Sequence, residues 1–204
     1  MGPAAATTRE EDTMLGILAG GRATRLGGID KAWMERDGVP QVLRIARRFG
    51  PKLAGVIVSA NRDVARYSMH RLRVVADHKL GIGPLAGLDA LAAACTTSWL
   101  LTVPVDLVDA NDCLVDSLFA AGTQGAFVED DDGLQPLVAL WPVERLRAAL
   151  PQALDDGDYA VQSLQRRMGM ARLRLAGVRL GNLNHPEDLA AAGIHRPDGV
   201  ENPS

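Results

Sequence analysis

The run Leu18-Ala-Gly-Gly-Arg-Ala-Thr-Arg-Leu-Gly-Gly-Ile-Asp-Lys31 issues from a compact apolar stretch, Met14–Ala19. The apolar stretch reads as a buried strand. Gly20 and Gly21 lack side chains, so the backbone after the strand can turn sharply and bring its N–H groups close to a polyphosphate. Arg22, Arg25 and Lys31 then place three cations within one loop. Aligned backbone donors and clustered positive charge suit an anion with several negative oxygens. Neither common phosphate motif is present: no Gly-Lys-Ser/Thr closes the loop, and no Gly-x-Gly-x-x-Gly runs through it. A flexible surface loop with solvated cations is the alternative reading. Four glycines and three cations placed straight after a buried strand make it the weaker one.

Working outward, short apolar runs alternate with helical patterns. Strands are predicted at 14–19, 55–60, 72–76, 98–103, 125–129, 134–140 and 172–175. Helices are predicted at 41–50, 62–69, 84–95, 112–121, 142–150, 161–168 and 186–192, with Asn111 as the N-cap of the fourth. This alternation predicts the α/β class, a mostly parallel sheet covered by helices on both faces. In such sheets ligands sit outside the carboxyl ends of strands, which is where the polar signals fall. Residues 1–13 read as a disordered tail, 14–195 as one domain, and 196–204 as a second tail.

Composition narrows the function. A hydrophobic fraction of 47% and a charged fraction of 23% suit a globular protein. The net charge of −3 argues against a general nucleic-acid binder. No signal-peptide pattern and no bilayer-length apolar run is present, so no membrane role and a cytoplasmic location are expected. Cys95 and Cys113 fall in segments that read as buried helix, too few and wrongly spaced for a disulfide framework or a metal site. His70, His78, His185 and His195 form no zinc spacing, and His78 is expected to face solvent.

The pattern Leu-Ala-Gly-Gly-x-x-x-Arg-x-Gly-Gly-x-Asp-Lys resembles the signature of molybdenum cofactor guanylyltransferases, within the nucleotidyltransferases that include nucleotide-sugar pyrophosphorylases. The resemblance spans about residues 14–192. It implies a single three-layer α/β/α, Rossmann-like nucleotidyltransferase domain. It also implies transfer of GMP from GTP to the molybdopterin cofactor with release of pyrophosphate. Lys31, Arg25 and Asp106 are then the catalytic candidates, Lys31 and Arg25 gripping the triphosphate. Leu18, Ala19, Gly20, Gly21, Lys31, Ser59, Asp77 and Asp106 form the implied nucleotide site, and Asp106 holds Mg²⁺, the implied cofactor.

Each supporting position has a plainer reading beside the implied one. Asp106, in Val103-Pro-Val-Asp106, sits past a buried strand as a metal ligand or as a turn residue. Gly83-Pro-Leu-Ala-Gly87 opens a helix, close to the nucleotide or as an ordinary helix start. Asn182 and Asn184, before Pro186-Glu-Asp188, are the implied acceptor-binding residues, although Asn184 or His185 also suits a helix cap. Gln135-Pro-Leu137 matches a family segment or is plain strand.

Four departures from the family pattern stand out. Leu26 replaces methionine, and Ser59 replaces an asparagine that helps bind guanine. Leu107-Val108 stands where Thr-Pro is common. No arginine accompanies Gly157-Asp-Tyr-Ala160, the nearest being Arg166 and Arg167. The partners implied are GTP and molybdopterin, with transient contacts to cofactor-biosynthesis proteins or acceptor molybdoenzymes. The alternatives are a cytidylyl- or sugar-phosphate nucleotidyltransferase, or a non-catalytic nucleotide- or cofactor-binding chaperone.

Overall fold

Every residue of the first strand, β1 (Thr13–Leu18), is buried, as expected of a strand covered on both faces. The computed structural model describes residues 9–20, 30–108, 113–181, 183 and 186–195. After β1, a two-stranded ribbon, β2 (Glu35–Arg36) and β3 (Val39–Pro40), leads into α1 (Gln41–Phe49). There follow β4 (Gly55–Ser59), α2 (Val64–Met69), β5 (Arg73–Val75), α3 (Pro84–Ala94) and β6 (Trp99–Pro104). The second half runs α4 (Leu114–Ala121), β7 (Ala126–Asp130), β8 (Gly133–Pro142), α5 (Val143–Asp155), α6 (Val161–Arg167), β9 (Ala171–Arg174) and α7 (Pro186–Ala191).

The main sheet has the order β5-β4-β1-β6-β8-β7-β9. β8 pairs antiparallel with both its neighbours, and the remaining pairings are parallel. The expected three-layer α/β/α arrangement with a mostly parallel sheet is therefore present. Side-chain alternation along β1 explains the two outer layers. Leu15 and Ile17 pack into a core with residues of α1, α2 and α4. Met14 and Leu18 point the other way, into a core built with α3, α5 and α6. Burying one such side chain stabilises the fold by roughly 1.5–3 kcal/mol, so a one-residue slip of β1 is strongly disfavoured.

Several sequence expectations need correction. The β2–β3 ribbon was not anticipated; its turn is Asp37-Gly38, both in the left-handed region at φ 54° and 70°, a residue pair suited to tight hairpins. Helix α5 runs through Pro151 to Asp155 instead of ending at Leu150, because one further turn buries Ala153. Cys95 is buried, but Cys113 is exposed and immediately precedes α4. Helix α4 starts at Leu114, and the proposed cap Asn111 lies outside the described residues. Residues 9–12, expected to belong to a tail, form a turn attached to the domain: Asp12 accepts from Ser98 N at 3.0 Å, and Arg9 donates to the Phe119 carbonyl. Among the described residues no helix is long and apolar enough to cross a membrane.

At the chain's end, Leu183, Leu189 and Ile194 pack on Met34 in a small satellite core. Glu35 and His195 exchange backbone hydrogen bonds at 2.8 Å. The last helix is thereby held beside the ribbon, near the segment that follows β6.

Candidate active site

From β1 the chain moves outward through β4 to β5, then returns to place β6 on the other side of β1. The carboxyl ends of β1 and β6 thus diverge at a topological switch point, where doubly wound sheets open a crevice. A cleft of about 230 Å³ lies there. Leu18, Ala19 and Gly20 line it from β1, Val105 and Asp106 from β6, and Ser59 and Asp77 from the ends of β4 and β5.

Lys31 reaches the cleft from a single 3-10 turn, Lys31–Trp33. Asp30 caps this turn, its Oδ1 accepting from Ala32 N at 2.9 Å. Burial raises the Asp30 carboxyl above its ordinary range; the Ala32 bond opposes this and nearby Asp63 adds to it. Trp33 anchors the turn. Its ring lies 4.7 Å from that of Tyr67, and the Arg66 guanidinium sits 4.1 Å from its centroid.

Lys31 Nζ donates to Asp106 Oδ2 at 3.2 Å, and the two side chains are 18% and 23% exposed. This ion pair spans the crevice between the loop after β1 and the segment after β6. A pair with this access to water is worth about 1 kcal/mol or less. Charge-assisted hydrogen bonds from Lys31 to phosphate oxygens would offset its loss. Asp106 is supported from behind, its carbonyl accepting from Leu183 N at 3.3 Å.

The second polar group in the cleft is a triad. Asp77 Oδ1 accepts from Ser59 Oγ at 2.9 Å, and Oδ2 accepts from Asn61 Nδ2 at 2.8 Å. The Asp77 backbone N–H donates to Asn61 Oδ1 at 2.9 Å. The space beside the triad demands a glycine at position 87 but not at position 20. A Cβ on Gly20 would lie 3.7 Å from Asp77 Oδ2, and a Cβ on Gly87 would lie only 2.6 Å from Ser59 Oγ.

Leu18, Ala19, Gly20, Lys31, Ser59, Asp77 and Asp106 therefore meet in one cleft, together with Gly83, Gly87 and Leu137 from the two segments with alternative readings. Gly21, Arg25, Asn182 and Asn184 lie outside the described residues. The two arginines nearest Gly157-Asp-Tyr-Ala160 are engaged elsewhere. Arg167 pairs with Asp156 at 2.9 Å and Asp158 at 3.0 Å, and Arg166 donates to Ser163 Oγ. His78 is exposed as expected, and its Nδ1 pairs with Asp89 at 2.9 Å. Sequence reasoning missed Asn61. Its signal was positional: Asn61 follows β4 by two residues, as Asp77 follows β5.

A family model described as a MobA-like NTP transferase domain matches residues 15–173. The chain belongs to this family. It is a nucleotidyltransferase, and the cleft lies where the sheet's topology places a ligand. Among relatives named molybdenum cofactor guanylyltransferase, that of Pseudomonas paraeruginosa is 36% identical over 181 residues, covering 85% of this chain and 91% of the relative. That of Cereibacter sphaeroides is 38% identical, covering 86% and 93%. Among solved structures, molybdopterin-guanine dinucleotide biosynthesis protein A from Archaeoglobus fulgidus matches with a TM-score of 0.68 at 17% identity, covering 88% of this chain and 96% of that one. A 2-C-methyl-D-erythritol 4-phosphate cytidylyltransferase from Thermus thermophilus matches with a TM-score of 0.66 at 16% identity, covering 87% and 96%. At such identities the structural likeness concerns the fold alone.

Proposed function

We propose that this chain transfers GMP from GTP to the terminal phosphate of molybdopterin, releasing pyrophosphate and forming a guanine dinucleotide cofactor. The observation that carries the reading is the Lys31–Asp106 pair at 3.2 Å across the switch-point cleft. The names and extent of the family relatives support the choice of nucleotide and acceptor.

An oxygen of the acceptor phosphate attacks the α-phosphorus of GTP in line, and the bond to the pyrophosphate oxygen breaks. Lys31 holds the triphosphate, with Arg25 and the backbone of Gly20 and Gly21 completing the cradle. Asp77 and Ser59 face the nucleoside, and Asn182 and Asn184 line the acceptor side. No covalent enzyme intermediate is needed, because orientation and charge stabilisation suffice for phosphoryl chemistry of this kind.

Among the described residues no three His, Cys, Asp or Glu side chains gather into a metal cage. Asp106 nonetheless suits Mg²⁺, which is commonly held by one or two carboxylates together with substrate phosphates. When bound, Mg²⁺ would offset negative charge that develops during transfer. A cytoplasmic site of action and transient contact with cofactor-biosynthesis proteins or acceptor molybdoenzymes complete the proposal.

The test is product analysis with purified protein, Mg²⁺ and GTP, CTP or UTP, offered molybdopterin or sugar phosphates in turn. Pyrophosphate release and a guanine dinucleotide product with GTP alone is the expected outcome. Preference for CTP or for a sugar phosphate would replace this reading, and absence of pyrophosphate release with every pair would favour a binding role.

A further inference from the structure

β4 and β5 run parallel with Ser59 opposite Val75, and the last ladder bond joins Ala60 N to the Val75 carbonyl at 3.0 Å. The same offset carried two residues further sets Asn61 opposite Asp77. Here the strands have ended, and the Asn61 carboxamide takes the place of a peptide group. It donates to Asp77 Oδ2 at 2.8 Å and accepts from Asp77 N at 2.9 Å. This closed ring of two hydrogen bonds fixes both the backbone and the carboxylate of Asp77. The Ser59 hydroxyl holds the other oxygen at 2.9 Å.

Each carboxylate oxygen can accept two hydrogen bonds. One position on each is filled by Asn61 or Ser59, and the carboxylate lines the cleft. Gly20 faces the triad, where a Cβ would lie 3.7 Å from Oδ2. A planar carboxylate held in this way matches a planar pair of adjacent N–H donors, which guanine presents at N1 and its 2-amino group. Adenine, cytosine and uracil do not offer that pair.

We infer that Asn61 is a positioning residue for base selection, orienting the Asp77 carboxylate so that it accepts both donors of the guanine edge. The inference rests on the proposed use of GTP. It also accounts for a serine at position 59: a hydroxyl secures one oxygen, and the carboxamide two residues later secures the other together with the backbone.

The test compares kcat/KM for GTP with that for inosine triphosphate, whose base keeps N1–H and lacks the 2-amino group. The wild-type protein should prefer GTP, and Asn61→Ala should reduce the preference by about tenfold or more, the scale on which a site that reads a polar group by hydrogen bonding discriminates. Asn61→Asp keeps the acceptor for Asp77 N but sets a carboxylate oxygen against Asp77 Oδ2 in place of the donor, and should lose the preference as well. Asn61 is exposed, so Asn61→Ala should melt near the wild-type temperature. A wild-type protein that does not prefer GTP over inosine triphosphate would overturn the proposed nucleotide and this inference together. A wild-type preference that survives unchanged in either variant would overturn the role of Asn61 and leave the proposed function standing.

Discussion

Asp106 and Asp130 are both carboxylates at the exit of a sheet strand, and they do opposite work. Asp106 follows β6, is 23% exposed on its side chain, and meets a lysine across an open cleft. Asp130 ends β7 and is 2% exposed. Its Oδ1 accepts from Asp132 N at 3.0 Å and Gln135 Nε2 at 3.2 Å, and its Oδ2 accepts from Leu180 N at 2.9 Å. Burial alone would raise this carboxyl, but the bonds from Leu180, Gln135, Asp132 and Gly133 outweigh it and lower the group below its ordinary value. The buried carboxylate has its acceptor positions taken up by the fold. The one at the cleft keeps capacity for a ligand. The two are also linked: Asp130 anchors Leu180, and three residues later Leu183 N donates to the Asp106 carbonyl.

Substitutions at four positions would break or sharpen this contrast. The largest effect is expected from Lys31→Ala, with GTP turnover falling about 10²–10³-fold, the scale of a lost charge-stabilising donor. Thermal melting should barely change. Near-normal pyrophosphate release from that variant would remove Lys31 from the chemistry.

Asp130→Ala should act the other way, lowering unfolding free energy by about 2–3 kcal/mol through unsatisfied buried donors. Any loss of turnover should follow from the displaced Leu180–Leu183 segment. Because the folded carboxyl titrates below its ordinary value of 3.8, its contribution is whole above that pH and fades as pH falls through the folded value. The stability gap between wild type and Asp130→Asn in urea titrations should therefore narrow in acid. A gap that widened in acid would contradict the assignment.

Gly87→Ala comes next. The new Cβ would meet Ser59 Oγ at 2.6 Å and Leu18 Cδ2 at 2.8 Å, an overpacking that costs about 1–2 kcal/mol. Displacing the Ser59 hydroxyl also loosens Asp77, so KM for GTP should rise more than kcat falls. Arg167→Ala should matter least. Its bonds to Asp156 and Asp158 are partly exposed and worth about 1 kcal/mol or less. Strong loss of turnover in that variant would place Arg167 in the acceptor site despite its present partners.

The parallel half of the sheet was more legible from the sequence than the half beyond β6, for a physical reason. Strands β1, β4 and β6 are predominantly apolar, and the residues that follow their ends fall where a parallel sheet presents ligands. Lys31, Asp77 and Asp106 could be placed at the cleft on those grounds and on the family resemblance. In the far half, β8 reverses direction and helix α5 passes through a proline. Neither leaves an unambiguous local pattern. Arg166 and Arg167 illustrate the difficulty: as sequence they are two cations near the expected acceptor site, and as structure they are tied to Ser163, Asp156 and Asp158.

The linear order of residues was enough to determine the α/β class, the strand that precedes the glycine-rich loop, and the kinds of side chain available at strand ends. These are short-range properties, written in hydrophobic period and glycine placement. Only the folded chain decided which polar groups meet. Lys31 finds Asp106 across 75 positions, Leu180 finds Asp130 across 50, and Asn61 finds Asp77 across 16. Such pairings depend on strand order and on which acceptors burial leaves open, and these are set by packing across the whole sheet.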